Sequence, residues 1–385
     1  MLYKELGHTG IKVPAIGQGT TGTGSYLNFD PAKVKERMEV LRYGIELGMN
    51  YLDTADLYGG GLSEEVVGEV IKGRRHKVFL ASKFNPKANV FDSVINSVEG
   101  SLKRMKTDFI DLCQIHWPNP LLPLSEIMNA LVKLIDQGKI RYIGVSNFSL
   151  EEFKEAQSCL TNQTIVSNQV EYNLIDRSIE NDFLPFCEKA GVTLIAYSCL
   201  NQGKFLLGKK QKELLDNLSI KYHRTISQMI LRWLISHKPV IAISQSKSMS
   251  HTEENALSTE FDLEEEDILA INEVYKQPYI EVPTNRIRLD VSENAPIYVT
   301  MKEALDNHLD LIPSPTVLSK IILKRRHVKP IRLVPTRDIS GKFDYDIDGY
   351  DIRDNVKKYW AWIIAHGYEV PIPACVVGGT KYTES

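Results

Sequence analysis

What most constrains this chain is an alternation. Short apolar, β-branched runs are each followed by a longer stretch of helical period. The runs read VPAIGQGT (13–20), NYLDTA (50–55), VFLASK (78–83), FIDLCQIH (109–116), IRYIGVSN (140–147), IVSNQVEY (165–172), VTLIAYS (192–198) and VIAISQS (240–246). Near-continuous apolar strands separated by helices belong to a parallel sheet covered by those helices. Eight such units can close into a (β/α)8 TIM barrel. A doubly wound open sheet is the structural alternative, but it expects a GxGxxG after the first strand, where residues 19–24 read GTTGTG.

The helical stretches carry their own punctuation. Ile226, Met229, Ile230, Trp233 and Leu234 fall on one apolar stripe. That segment opens with Thr225-x-x-Gln228, a capping-box pattern, and Ser149-x-x-Glu152 has the same form. Gly48, Gly73, Gly138 and Gly191 each sit just before a strand, where a glycine can take the left-handed conformation that ends a helix.

With 385 residues the chain exceeds a barrel of about 250 residues. The alternation stops near Pro278, so the barrel is assigned to residues 1–290 and a small α+β C-terminal extension to 291–385. A net charge of −3 gives no reason to expect a nucleic-acid or anionic-membrane partner. The five cysteines are widely spaced and form no CxxC pair, which suits reduced thiols in a cytoplasm better than disulfides or a metal site. No run of about 18 apolar residues occurs, and the opening MLYKELGHTG lacks the apolar core of a secretory leader.

In a barrel of this kind, chemistry collects at the C-terminal ends of the strands. The polar residues expected there are Asp53 after the second run, Lys83 ending the third and His116 ending the fourth. Ser146-Asn147 end the fifth, Asn168-Gln169 lie within the sixth, and Tyr197 ends the seventh. Tyr58 follows Asp53 by five residues. Singly, each has a plain reading: a helix cap, a core ring with a wet tip, a satisfied polar group. Lys83 resists it, because lysine is rarely buried unless paired. Titratable residues at three successive strand ends ask for a chemical explanation.

Those residues lie in stretches that closely resemble the aldo-keto reductase superfamily. LGHTGIKVPAIGQGT, NYLDTADLYGGGLSEEVVGEVIKG, VFLASKF, DFIDLCQIHWP, GKIRYIGVSNF, SNQVEYN, LIAYS and SQSKSMSHTEEN occur in that family's order over residues 1 to about 290. The resemblance implies reduction of an aldehyde or ketone, or the reverse oxidation, by a tetrad of Asp53, Tyr58, Lys83 and His116. The physics agrees. An alkoxide left by hydride delivery needs a proton, and a lysine cation beside a tyrosine helps the phenol release one. Asp53 would hold that lysine, His116 would donate a hydrogen bond to the carbonyl, and a nicotinamide would supply the hydride.

The resemblance further implies that Ser146, Asn147, Gln169 and Tyr197 hold the nicotinamide half of the cofactor, with Gly19 and Thr20 also binding the cofactor. Ser246, Lys247, His251, Glu254 and Asn255 match the adenosine-phosphate half. Gln245 and His251 stand where lysine and arginine often grip the 2′-phosphate, so NADPH is the expected cofactor with NADH also accepted. The rival readings are a Schiff-base lyase using Lys83 and a cofactor-binding regulatory module with little turnover. The partner expected is a small carbonyl substrate, sugar-like on the evidence of the polar loops around 22–31 and 201–210.

The extension fits no such pattern. DYDIDGYDIRDN begins like a calcium loop but has Asn355 where the last ligand should be glutamate, and reads as a solvated acidic turn. Residues 328–378 are faintly similar to the opening of ParB/sulfiredoxin-type domains but lack their Gly-x-His-Arg stretch, so no activity is carried over. The apolar cluster at Tyr359, Trp360, Trp362, Ile363 and Ile364 must be buried somewhere, and a role in oligomerisation is expected.

Overall fold

In the computed structural model, eight parallel strands form a closed barrel. They are β3 (Ile16–Gly19), β4 (Tyr51–Asp53), β5 (Phe79–Phe84), β6 (Ile110–Ile115), β7 (Ile140–Ser146), β8 (Ile165–Glu171), β9 (Thr193–Tyr197) and β10 (Val240–Ser244). The ring closes between β10 and β3, with Ala242 opposite Ile16 and Ser244 opposite Gln18. Each of the eight apolar runs supplies one of these strands, which makes the architecture the expected (β/α)8 barrel. The structure describes residues 1–24, 29–87, 89–119, 121–203, 205 and 208–275. The C-terminal extension and every expectation placed on it lie outside the described residues.

The helices that clad the barrel form for the reasons their sequences give. At the start of α8 (Ile226–Ser236) the Thr225 hydroxyl accepts from the Gln228 N–H at 3.2 Å, and the Gln228 side chain accepts from the Thr225 N–H at 3.0 Å. Ser149 and Glu152 make the same reciprocal cap on α5 (Leu150–Ser158). The stripe on α8 buries Met229, Ile230, Trp233 and Leu234 completely. Gly48, Gly73, Gly138 and Gly191 have φ of 89°, 73°, 69° and 61°, as helix exits require.

One departure from expectation is at the N-terminus. The run 13–20 is not one strand but two, parted at Ala15. Lys12–Pro14 forms β2, which pairs antiparallel with β1 (Tyr3–Glu5), and only Ile16–Gly19 enters the barrel. The turn between them uses Gly7 and Gly10 at φ 55° and 72°. GHTG between two short alternating segments is a hairpin signal, but strands of three residues leave too little periodicity to display it. The hairpin closes the N-terminal end of the barrel. Leu6 and Val13 are fully buried against Leu112, Ile195 and Ile241, and the Lys4 ammonium donates to the carbonyls of Ile235, His237 and Val240 at 2.6 to 2.7 Å.

Among the described residues no helix is long and apolar enough to cross a membrane, and no three metal-binding side chains gather.

Candidate active site

At the opposite end of the barrel the strand termini bring polar groups together. Asp53 is the last residue of β4, and the chain then turns to Tyr58, which opens a 3₁₀ turn over Tyr58–Gly61. Gly59, Gly60 and Gly61 all have positive φ, at 62°, 71° and 107°. A Cβ on Gly59 would collide with the Gly24 carbonyl oxygen, so only glycine lets the backbone reverse directly behind the tyrosine.

Lys83, next to last in β5, is 1% exposed. Its ammonium donates to Asp53 Oδ1 at 2.5 Å, to the Thr54 carbonyl at 3.0 Å and to Tyr58 Oη at 3.2 Å. Burial works to lower its pKa, but the attraction of Asp53 and Tyr58 prevails and the group is raised. It therefore stays an ammonium. The second Asp53 oxygen accepts from Gln169 Nε2 at 2.8 Å and from Gln114 Nε2 at 3.4 Å, so this buried pair is hydrogen-bonded on both sides.

His116 follows β6 directly, and its N–H donates to the Phe84 carbonyl at 2.9 Å. Its ring lies 5.7 Å from the Tyr58 ring at 77°. Burial, then the Lys83 cation, pull the imidazole down to about 3, so it is neutral at ordinary pH. Its Nδ1 has no partner among the described residues.

Further round the barrel, the Ser146 hydroxyl donates to the Gln169 carbonyl at 2.9 Å. Asn147 donates to the His116 carbonyl at 3.0 Å and accepts from the Tyr197 hydroxyl at 2.9 Å. Asn147 has φ 65°, a strained conformation for a residue with a side chain and one often found at functional sites. Beyond β10, Asn255 on α9 (Met249–Leu257) donates to Ser244 Oγ at 2.9 Å and Ser246 Oγ at 2.8 Å, which joins the helix to the strand end. The Glu254 carboxylate accepts from the Thr225 hydroxyl, while Lys247 and His251 are exposed.

These groups surround one cavity of about 730 Å³. Of the residues expected in the site, three do not line it. Lys83 stands behind Asp53 and Tyr58, and Ser246 is turned to Asn255. The Thr20 hydroxyl is spent on the Asp53 carbonyl at 3.0 Å and on Ser63 at 2.7 Å. The others all border the cavity. Residue-by-residue reading missed Gln114, whose signal was an amide inside an otherwise apolar strand; Trp117, which opens a loop expected to shape substrate choice, is 47% exposed and stacked on His116 at 6.4 Å.

The sequence profile of the Aldo/keto reductase family matches residues 15–276, a span that contains every residue of the site. The chain belongs to the aldo/keto reductase family. Among its relatives, methylglyoxal reductase YeaE of Escherichia coli (strain K12) is 36% identical over 269 residues, covering 70% of this chain and 93% of that one. Among solved structures, the thermostable aldo-keto reductase Tm1743, in complex with the inhibitor epalrestat, shares 43% identity and a TM-score of 0.68 over 71% of this chain and 100% of that chain. An aldo/keto reductase from Klebsiella pneumoniae in complex with NADP and acetate shares 34% identity and a TM-score of 0.64, covering 71% and 95%. In this aldo/keto reductase the cavity is lined by residues at and just beyond the C-terminal ends of the strands, the end where barrels generally carry their chemistry.

Proposed function

We propose that the chain reduces a small aldehyde or ketone to the alcohol with NADPH, and that Tyr58 is the general acid. The observation that carries this reading is the unbroken line Asp53–Lys83–Tyr58, which begins in the buried core and ends on a phenol at the cavity wall beside a neutral imidazole. A bound nicotinamide would supply the hydride that no side chain can. Tyr58 Oη gives its proton to the developing alkoxide, and the Lys83 ammonium at 3.2 Å holds the phenolate that remains. Asp53 keeps Lys83 charged, and its own free oxygen is satisfied by two amides. His116, uncharged, donates a ring N–H to the carbonyl oxygen as negative charge gathers there.

The remaining residues suit the cofactor. Ser146, Asn147 and Gln169 offer the donors and acceptors a carboxamide needs, with Gly19 and the Tyr197 ring beside them. Lys247, the His251 ring and the N-terminal turn of α9 offer a cation, an imidazole and N–H groups to phosphate, with Glu254 and Asn255 at the base. A Schiff-base lyase is disfavoured, because attack needs a neutral, accessible amine and Lys83 is neither. The name of the Escherichia coli relative makes 2-oxoaldehydes the first substrate class to test, with hydroxylated aldehydes second.

The test is NADPH consumption with methylglyoxal and with glyceraldehyde, in the wild type and in Tyr58→Phe. The variant is expected to bind NADPH as the wild type does while turnover falls by at least about 10²-fold. Normal turnover in Tyr58→Phe would remove the tyrosine from the mechanism.

A further inference from the structure

Lys83 has its carboxylate, but a second buried cation has none among the described residues. Arg37, on α1 (Pro31–Glu46), is 9% exposed. Its Nη2 donates to the carbonyl of Gly19, the last residue of β3, at 2.5 Å, and its Nη1 donates to the carbonyl of Ser246, just past β10. Nε has no partner among the described residues. Both partners are neutral. The other arginines of similar burial are neutralised: Arg177 pairs with Glu180 at 2.8 Å, and Arg232 pairs with Asp262. Burial lowers Arg37 from its usual value to about 10, which leaves it charged at neutral pH.

A buried charge without a counter-ion is costly, and carbonyl dipoles offset only part of that cost. The location of Arg37 suggests what completes it. Gly19 lines the cavity, and so do Gln245 and Lys247 on either side of Ser246. The Gln245 side chain donates to the Thr21 carbonyl across the same β3–β10 seam. Arg37 thus lies one carbonyl behind the wall, at the end of the cleft where Lys247 and α9 stand. The peptides are trans, so turning the Ser246 carbonyl to Arg37 leaves the Lys247 N–H facing the opposite way.

We propose that the phosphate groups of the dinucleotide are the counter-charge of Arg37, which is a positioning residue acting through the Gly19 and Ser246 carbonyls. This rests on the NADPH reading above. It assigns electrostatic work to a residue that touches neither the substrate nor the reacting atoms.

Titration calorimetry of the full-length protein with NADPH and with NADH tests it, using Arg37→Met and Arg37→Lys. The Met variant is expected to lose roughly tenfold or more in NADPH affinity and to show a flatter dependence of Kd on salt. The Lys variant, which keeps the charge, is expected within about threefold of the wild type. Equal losses for both dinucleotides would place the diphosphate opposite Arg37, and a loss confined to NADPH would place the 2′-phosphate there. Should Arg37→Met fail to fold, Arg37→Gln takes its place against the same Lys variant. Wild-type affinity in the neutral variant, or equal loss in neutral and Lys variants, overturns the proposal. A wild type that binds neither dinucleotide removes the NADPH reading itself.

Discussion

Asp56 shows how a single side chain beside the site couples to pH. It sits between Asp53 and Tyr58, its N–H donates to the Lys83 carbonyl at 3.0 Å, and its Oδ1 has no partner among the described residues. Burial, then the Glu64 carboxylate, push its carboxyl up to about 6, against the pull of Arg104, the Leu57 amide and Ser97. The unfolded chain ionises it near the ordinary value of about 3.9. Between those values the folded chain holds a proton that the unfolded chain has lost. The stability from this group is therefore full below about pH 4 and is lost as pH rises through about 6. Asp56→Asn is expected to raise stability at about pH 7 by on the order of 1 kcal/mol and to match the wild type near pH 4, as urea denaturation across that range would show. A variant less stable than the wild type at neutral pH contradicts this account. Residues of this kind differ in how far the sequence reveals them. Lys83 was legible because a lysine closing an apolar strand has few ordinary explanations. Arg37 was not, because an arginine on a mixed helix looks like a solvated residue until α1 is packed against β3 and β10.

Among the elements, those marked by local chemistry were legible. The capping boxes at Thr225 and Ser149 and the left-handed glycines are properties of a few adjacent residues, and the structure realises them as the sequence states them. The β1–β2 hairpin was not, since its short strands are stabilised by what they cover. The turn after Tyr58 lies between these cases. Its three glycines announce a tight turn, but the close approach of Gly24 that makes Gly59 irreplaceable comes from another loop. Gly59→Ala is expected to cost about 1–3 kcal/mol of stability through backbone strain and the displaced Gly24 carbonyl. It should also lower turnover at least about tenfold by shifting Tyr58, while leaving NADPH affinity nearly unchanged. Thermal unfolding with steady-state kinetics on the same preparation checks both, and an unstrained, fully active variant would show that the turn does not set the tyrosine.

For the molecule as a whole, the alternation of runs specified a helix-covered parallel sheet, and the missing GxGxxG after the first run favoured the closed barrel that forms over the open sheet. Which loops shape the substrate space was not legible, since that depends on chain segments meeting across the mouth. Every residue of the candidate site falls within the compact unit Met1–Lys276. A chain ending at Arg288 is therefore expected to titrate with NADPH within about twofold of the full-length protein, whatever its elution volume in size-exclusion chromatography. Loss of cofactor binding on truncation would mean that the extension completes the site.

The hairpin at the barrel floor has a consequence for proton traffic. Leu6 and Val13 are fully buried beneath the strands, and Lys83 is 1% exposed above them. On the proposed chemistry, a Tyr58 that has given up its proton faces the cavity and is recharged through the mouth by which the alcohol departs. The doorway serves two errands in sequence, so the acid is reset after the product has cleared it.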